Sequence, residues 1–148
     1  MAFNELVGGF TYDYQEDDLE HPQYWPRWVV NSLGEDYFAN VVSLNLRHSR
    51  VTDEELKHLN TLPALERLNL GDTQVTDEGL RHLEGLQALR GLNLTDTQIT
   101  DEGLKHLERL EALEWLVLYG TQVTDKGVAQ LQEKLPNNCG IRYSTLIN

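Results

Sequence analysis

VTDEGLRHLEGLQALRGLNLTDTQ, residues 75–98, has a near copy on each side: VTDEELKHLNTLPALERLNLGDTQ at 51–74 and ITDEGLKHLERLEALEWLVLYGTQ at 99–122. A further start, VTDKGVAQL, opens at 123 before the pattern breaks, so the chain repeats itself with a period of 24 residues. Within each copy the hydrophobic period changes. In LNL at 68–70 the leucines alternate with Asn69, the period of two that puts leucines on one face of a short strand and the asparagine on the other. In TDEGLRHLEGL, Leu80, Leu83 and Leu86 recur at threes, which is one face of a helix or 3₁₀ segment. Thr76 is suited to the N-cap, Asp77 and Glu78 place negative charge at the positive end of the helix, and Val75 can staple onto Leu80. Thr52 and Glu55 have the spacing of a full capping box.

One copy cannot bury its leucines alone, so copies must stack, strand beside parallel strand and helix beside helix. The expected fold is a right-handed, curved α/β solenoid of about four and a half turns, with a parallel sheet on the concave face and helices on the convex face. The frame L-x-x-L-x-L-x-x-T-x-(V/I) stands as Leu65, Leu68, Leu70, Thr73, Val75, then Leu89, Leu92, Leu94, Thr97, Ile99, then Leu113, Leu116, Leu118, Thr121, Val123. At this period, that is the frame of a leucine-rich repeat.

The chain divides on the same pattern into three parts of one domain. Residues 1–40 do not fit the repeat and hold nine of the twelve aromatics, among them Trp25, Trp28, Tyr37 and Phe38. FTYDY at 10–14 reads as a strand and WPRWVVNSL as a helix with Pro26 in its first turn. Large rings cover the open end of a stack efficiently, so this part is expected to be the N-terminal cap. Residues 41–122 hold the repeats, beginning with the strand half VVSLNLRHSR. Residues 123–148 hold the last partial repeat and a C-terminal cap, with a helix over 126–135 ended at Pro136. There the strand register needs one extra residue to align Ile141 and Tyr143 with Leu116 and Leu118.

The VTDEGL and ITDEGL openings, the Thr of DTQ and GTQ at the Asn/Cys position and the 24-residue length resemble bacterial leucine-rich-repeat proteins related to the cysteine-containing subclass, in the ribonuclease-inhibitor-like superfamily. WVVNSLGEDYFANVVSLNL resembles the cap that precedes such arrays, often behind a membrane anchor, and LPNNCGI resembles their usual ending. The resemblance implies partner recognition and no shared active site.

The 148 residues suit one domain. Twelve Lys and Arg against 24 Asp and Glu give a net charge of −12, which disfavours nucleic acid or an anionic membrane as the main partner. Asp53, Asp77 and Asp101 stand four residues before Lys57, Arg81 and Lys105, an order expected to give helix-surface ion pairs on a solvated convex side. A single cysteine, Cys139, cannot form an internal disulfide and is expected to be a small buried or half-buried filler. The sequence shows neither a long apolar run nor a signal-peptide pattern, so the compartment stays open: a cytoplasmic protein, or an excised domain of an anchored one.

Stacking turns columns of sequence into rows on the concave face. The three outward columns read Ser43, Arg67, Gly91, Trp115; Asn45, Asn69, Asn93, Val117; and Arg47, Gly71, Thr95, Tyr119. Trp115, Val117 and Tyr119 share one strand beside the small residues of the previous copy, and Arg142 can close the patch from the last strand. Arg67 lies across the surface, with Asn69 and Asn93 as a polar stripe between. An apolar centre with a polar surround is the composition of a recognition site. The alternative is that the rings lie flat over their neighbours and only shield a sparse end. Thr73, Thr97 and Thr121 are expected to bond turn backbone inside the solenoid, and Glu66, Arg90 and Glu114 to form a cross-strand ion ladder. His58, His82 and His106 form a helix column, each four residues after a Glu expected to pair with it, and without a closing metal ligand.

No nucleophile elbow, phosphate loop or HExxH stands in the chain. The expected function is a non-enzymatic, monomeric protein-interaction module without metal or cofactor, binding a protein partner on its concave face. Its rival is a structural spacer within a larger, anchored protein.

Overall fold

A computed structural model describes residues 41–136 and 138–144, together with the backbone of two short strands, β1 (Glu5–Leu6) and β2 (Gly9–Phe10), which pair antiparallel. The expected strand at 10–14 beyond Phe10 and the expected helix WPRWVVNSL lie outside the described residues.

The repeats build one five-stranded parallel sheet whose strands follow chain order. These are β3 (Ser43–Asn45), β4 (Arg67–Asn69), β5 (Gly91–Asn93), β6 (Trp115–Leu118) and β7 (Gly140–Tyr143). Leu44, Leu68, Leu92 and Leu116 align in one row, and β7 continues it with Ile141 opposite Leu116 and Tyr143 opposite Leu118. The extra residue anticipated in the last turn is therefore accommodated before β7: Val128 and Leu131 keep the 24-residue spacing from Leu104 and Leu107, and buried Leu135 stands 25 after Leu110.

Each of β3 to β6 is followed by a crossover of helical turns: α1 (Asp53–Leu56), α2 (Asp77–Leu80), α3 (Asp101–Leu104) and α4 (Asp125–Gln132). The first three are single turns that tighten at once into 3₁₀ segments, Lys57–Thr61, Arg81–Leu83 and Lys105–Leu107. Apolar residues three apart, as at Leu80, Leu83 and Leu86, eclipse in a 3₁₀ helix and so all face inward. In α4 and the turn that follows it the buried apolar residues fall at Val128, Leu131 and Leu135, a three-then-four spacing that suits a true α-helix. Sheet and helices enclose a single leucine core. Leu56, Leu65, Leu80, Leu89, Leu92 and Leu116 are fully buried, and Val75 and Ile99 seal each junction. At about 1.5–3 kcal/mol per buried leucine, this row supplies the main driving force.

The buried threonines behave as expected. Thr73, Thr97 and Thr121 hydroxyls donate to the carbonyls of Leu70, Leu94 and Leu118 at 2.7, 2.6 and 2.7 Å, and Ser49 does the same to Leu46 at 2.6 Å. Beside them runs a left-handed column: His48, Asp72, Asp96 and Gly120, with φ of 61°, 55°, 55° and 69°. The strand turns into the crossover there, a conformation reserved in most proteins for Gly, Asn and Asp.

The aspartates depart from expectation. Asp53, Asp77 and Asp101 do not pair with Lys57, Arg81 and Lys105 but reach into the next repeat. Thr76, Thr100 and Thr124 each donate a backbone N–H at 2.8 Å and a hydroxyl at 2.6, 2.5 and 2.6 Å to the carboxylate of the copy before. Two hydrogen bonds to a charged acceptor outweigh an exposed helix pair. The space is supplied by glycine: a Cβ on Gly79, Gly103 or Gly127 would lie 2.2, 2.2 or 2.1 Å from the same carboxylate oxygens. The basic residues turn instead to the glutamates three positions back, Lys57 to Glu54, Arg81 to Glu78 and Lys105 to Glu102, at 3.0, 2.6 and 2.5 Å. The Lys57 ammonium, hydrogen-bonded to Glu54, holds that carboxyl below its ordinary range. Those glutamates are thus not the histidine partners expected from sequence; His106 Nδ1 lies 2.6 Å from Glu84 of the preceding repeat. The capping box at Thr52 does form, its N–H donating to Glu55 at 2.8 Å.

Candidate functional site on the concave face

The concave surface is made of the residues that alternate with the buried leucines, and its composition follows from three columns. Because strands pair in register, Arg67, Gly91 and Trp115 stand in one row, and Asn69, Asn93, Val117 and Arg142 in the next. Adjacent strands are about 4.8 Å apart, so side chains in a row on neighbouring strands can touch.

Trp115 lies against Gly91: a Cβ there would come 2.0 Å from the indole Cζ2 and 2.6 Å from Nε1. Gly91 is accordingly buried, while Trp115 keeps 38% of its surface exposed. Tyr119, two turns of the pleat further along, is 43% exposed. Among the described residues these are the exposed large hydrophobic side chains; the leucines are inside. Val117 is half-buried between them, flanked by Asn93 on one side and the exposed Arg142 on the other. The structure therefore brings Trp115, Val117, Tyr119, Asn93 and Arg142 together. Arg67 is separated from Trp115 by Gly91 and stands two strands away.

The asparagines serve the backbone first. Asn69 Oδ1 accepts the Gly71 N–H at 3.0 Å, and Asn93 Oδ1 accepts the Thr95 N–H at 3.0 Å and its hydroxyl at 2.7 Å. They fix the turn at the strand's end, so their carbonyl oxygens are committed within the repeat. Asn45 does the same for Arg47 at 3.2 Å.

Two features mark the rims, and the first escaped the sequence reading. At one end Arg47 Nε donates to Asp72 at 2.9 Å, with His48 Nδ1 at 3.5 Å from the same oxygen. The left-handed turn at Asp72 points its carboxylate back toward the previous repeat, which only the φ column reveals. At the other end Arg90 donates to Glu114 through Nε at 3.0 Å and through Nη2. This pair keeps the guanidinium protonated above its ordinary range. It is the part of the expected ion ladder that forms; Glu66 acts on Arg90 only through its charge. Glu66, Arg90 and Glu114 also line a shallow depression on that rim with Ala88 and Asn138, off the aromatic strand face.

Cys139 is buried, and burial pushes its thiol pKa up, the opposite of what a nucleophilic thiolate needs. No group of three or more His, Cys, Asp or Glu among the described residues is placed to hold a metal ion. Nor is any described helix long and apolar enough to cross a membrane.

A family profile described as "Leucine Rich repeat" matches residues 61–83 and 85–107, two successive copies of the period. The array is a leucine-rich-repeat solenoid. Internalin C2 from Listeria monocytogenes is similar over 76% of this chain at 25% identity, with a TM-score of 0.50. The chain spans 58% of that internalin. The structure titled Leiomodin-1 Actin-Binding Site 2 superposes over 76% of each chain with a TM-score of 0.60 at 17% identity, a likeness of fold. No curated protein matches the sequence. Leucine-rich-repeat domains generally mediate protein–protein interaction and are generally non-enzymatic, which is the class of function this fold brings.

Proposed function

We propose that this leucine-rich-repeat domain is a binding module that holds one protein partner on its concave face, centred on Trp115, Val117 and Tyr119. The observation that carries the proposal is the contrast in exposure: from residue 41 to residue 144 the leucines are sealed in the core, while Trp115 and Tyr119 stand 38% and 43% exposed on the one concave surface. Exposed aromatic area with a polar surround is what recognition surfaces offer. Arg142 and Asn93 border the patch and Arg67 extends it.

A spacer role within a larger, anchored protein has one observation in its favour, since the Trp115 ring shields Gly91 and so has structural work of its own. The two readings separate in affinity capture with the domain beside a folded Trp115→Ala, Tyr119→Ala double variant. A partner held by the parent and lost by the variant supports the concave patch. Equal capture by both, or capture by neither, favours the spacer.

We further assign the repeats, by their VTDEGL openings and the threonine at the Asn/Cys position, to the bacterial cysteine-containing subclass. Residues 1–40 form its N-terminal cap and 123–148 its last partial repeat and C-terminal cap; the approach of β2 to β3 supports the first, and the in-register β7 the second.

A further inference from the structure

The concave face has a charge opposite to that of the protein. The chain carries −12 overall, yet the strand faces from 43–47, 67–71, 91–95, 115–119 and 140–144 contain no Asp or Glu and include Arg47, Arg67 and Arg142. Among the described residues the carboxylates are confined to the rims and the convex crossovers, where Asp72 and Glu114 already hold Arg47 and Arg90. Arg67 and Arg142 differ: both are exposed, and neither has an ion-pair partner among the described residues. They bracket the aromatic patch. Arg142 stands beside Val117 on the next strand, and Arg67 stands two strands from Trp115 on the other side, across Gly91.

From this we infer that the concave face selects an extended acidic peptide segment: two carboxylates, one for Arg67 and one for Arg142, with an apolar side chain between them resting on Trp115 and Val117. The assignment rests on the concave-face function proposed above and specifies its ligand. Geometry sets the spacing. Arg67 and Arg142 are three strand steps apart and offset by two residues along the strands. That is about 14 Å by about 7 Å, or roughly 16 Å between backbones. An extended peptide crossing the strands covers that distance in about five residues. Asp and Glu facing the rest of this acidic protein would be repelled, so the complementary face also fixes which way such a segment approaches. Arginine suits the task because its planar fork binds a carboxylate through two N–H donors and stays charged at every physiological pH.

The test uses the full chain and a fluorescein-labelled peptide carrying glutamates at the first and fifth positions of an extended stretch with a leucine at the third, so that all three side chains fall on one face, measured by polarisation. A companion peptide has glutamine for both glutamates. Two exposed arginine–carboxylate contacts should favour the acidic peptide by about three- to tenfold, and the preference should shrink with added salt. Arg67→Gln or Arg142→Gln should each remove part of it, and Arg67→Glu with Arg142→Glu should reverse it toward a lysine peptide of the same spacing. Circular dichroism confirms the fold of each variant. If both peptides bind equally and Trp115→Ala abolishes binding, the charge selection is wrong while the concave site stands. If binding ignores Trp115→Ala as well, the concave reading falls with it. Failure of the acidic peptide to bind overturns the inference outright.

Discussion

Removing the Asp77 carboxylate should be the most informative single change to the array. In the parent it accepts the Thr100 N–H at 2.8 Å and the Thr100 hydroxyl at 2.5 Å, in a half-buried site between two repeats. Hydrogen bonds to a charged group contribute about 1.5–3 kcal/mol each where water is excluded, and less where water can replace them. For this half-buried pair, Asp77→Ala should cost about 3 kcal/mol, lowering Tm by about 6–12 °C in a chain of this size. Asp101 makes the same two bonds to Thr124, but there the threonine is exposed, so Asp101→Ala should cost about 1 kcal/mol. Urea titration read by far-ultraviolet circular dichroism and by tryptophan fluorescence gives both values, and coincident transitions certify the two-state treatment. Gly103 supplies an internal control. Its absent Cβ would sit 2.2 Å from Asp77 Oδ1 and 3.2 Å from Asp77 Cα. Gly103→Ala should therefore cost about 1–3 kcal/mol in the parent and distinctly less in the Asp77→Ala background, a coupling above about 1 kcal/mol. An Asp77→Ala cost below about 0.5 kcal/mol, or one no larger than that of Asp101→Ala, would refute the inter-repeat clamp as a stabilising contact.

Leu92 is wholly buried at the centre of the sheet, so Leu92→Ala should destabilise by about 2–5 kcal/mol in the same titration. Cys139, buried with its pKa raised, should resist iodoacetamide in the native protein and react fully in urea; ready alkylation of the folded chain contradicts its placement. Tyr143 has its pKa raised above 10.0, chiefly by the hydrogen bond to Asp125 and then by desolvation. The folded state thus holds its proton more tightly than the unfolded state. That stability is fully present below about pH 10 and lost as pH rises through the folded value. Tyr143→Phe should flatten that alkaline decline, and an unchanged profile would show that the contact carries no linkage.

Much of this was legible in the sequence because a repeat reports its own geometry. The period gave the stacking, the alternation in LNL gave the strand face, and the offset before Ile141 gave the register of β7 correctly to the residue. The threonine column was readable because a hydroxyl among leucines must find a carbonyl. The aspartates were not readable, and the reason is locality. The i, i+4 rule considers one helix, whereas a single turn such as Asp77–Leu80 ends before that spacing is completed. The carboxylate then finds stronger donors in the next copy, and the lysine or arginine finds the glutamate three positions back. The candidate site was legible in its membership, since alternation alone places Trp115, Val117 and Tyr119 on one face. The packing of the indole on Gly91 and the commitment of Asn69 and Asn93 to backbone were not, because both depend on where a side chain lies rather than on which face it occupies.

The clamp between copies also gives the array a grammar. Each full unit presents an acceptor forward, its aspartate, and offers the preceding unit a threonine and a glycine notch, so every internal junction is written by the same three letters 23 and 26 positions apart. The opening unit has Glu55 where the notch would be, and the residue 26 places before it is Val29, which asks for no notch. At the far side the residue 23 positions after Asp125 is Asn148, not threonine, and the Asp125 carboxylate instead raises the pKa of the Tyr143 hydroxyl. Start, continuation and stop are thus spelled differently, and unequal crossing-over within the gene that duplicated one 24-residue unit would create only junctions the protein already knows how to make.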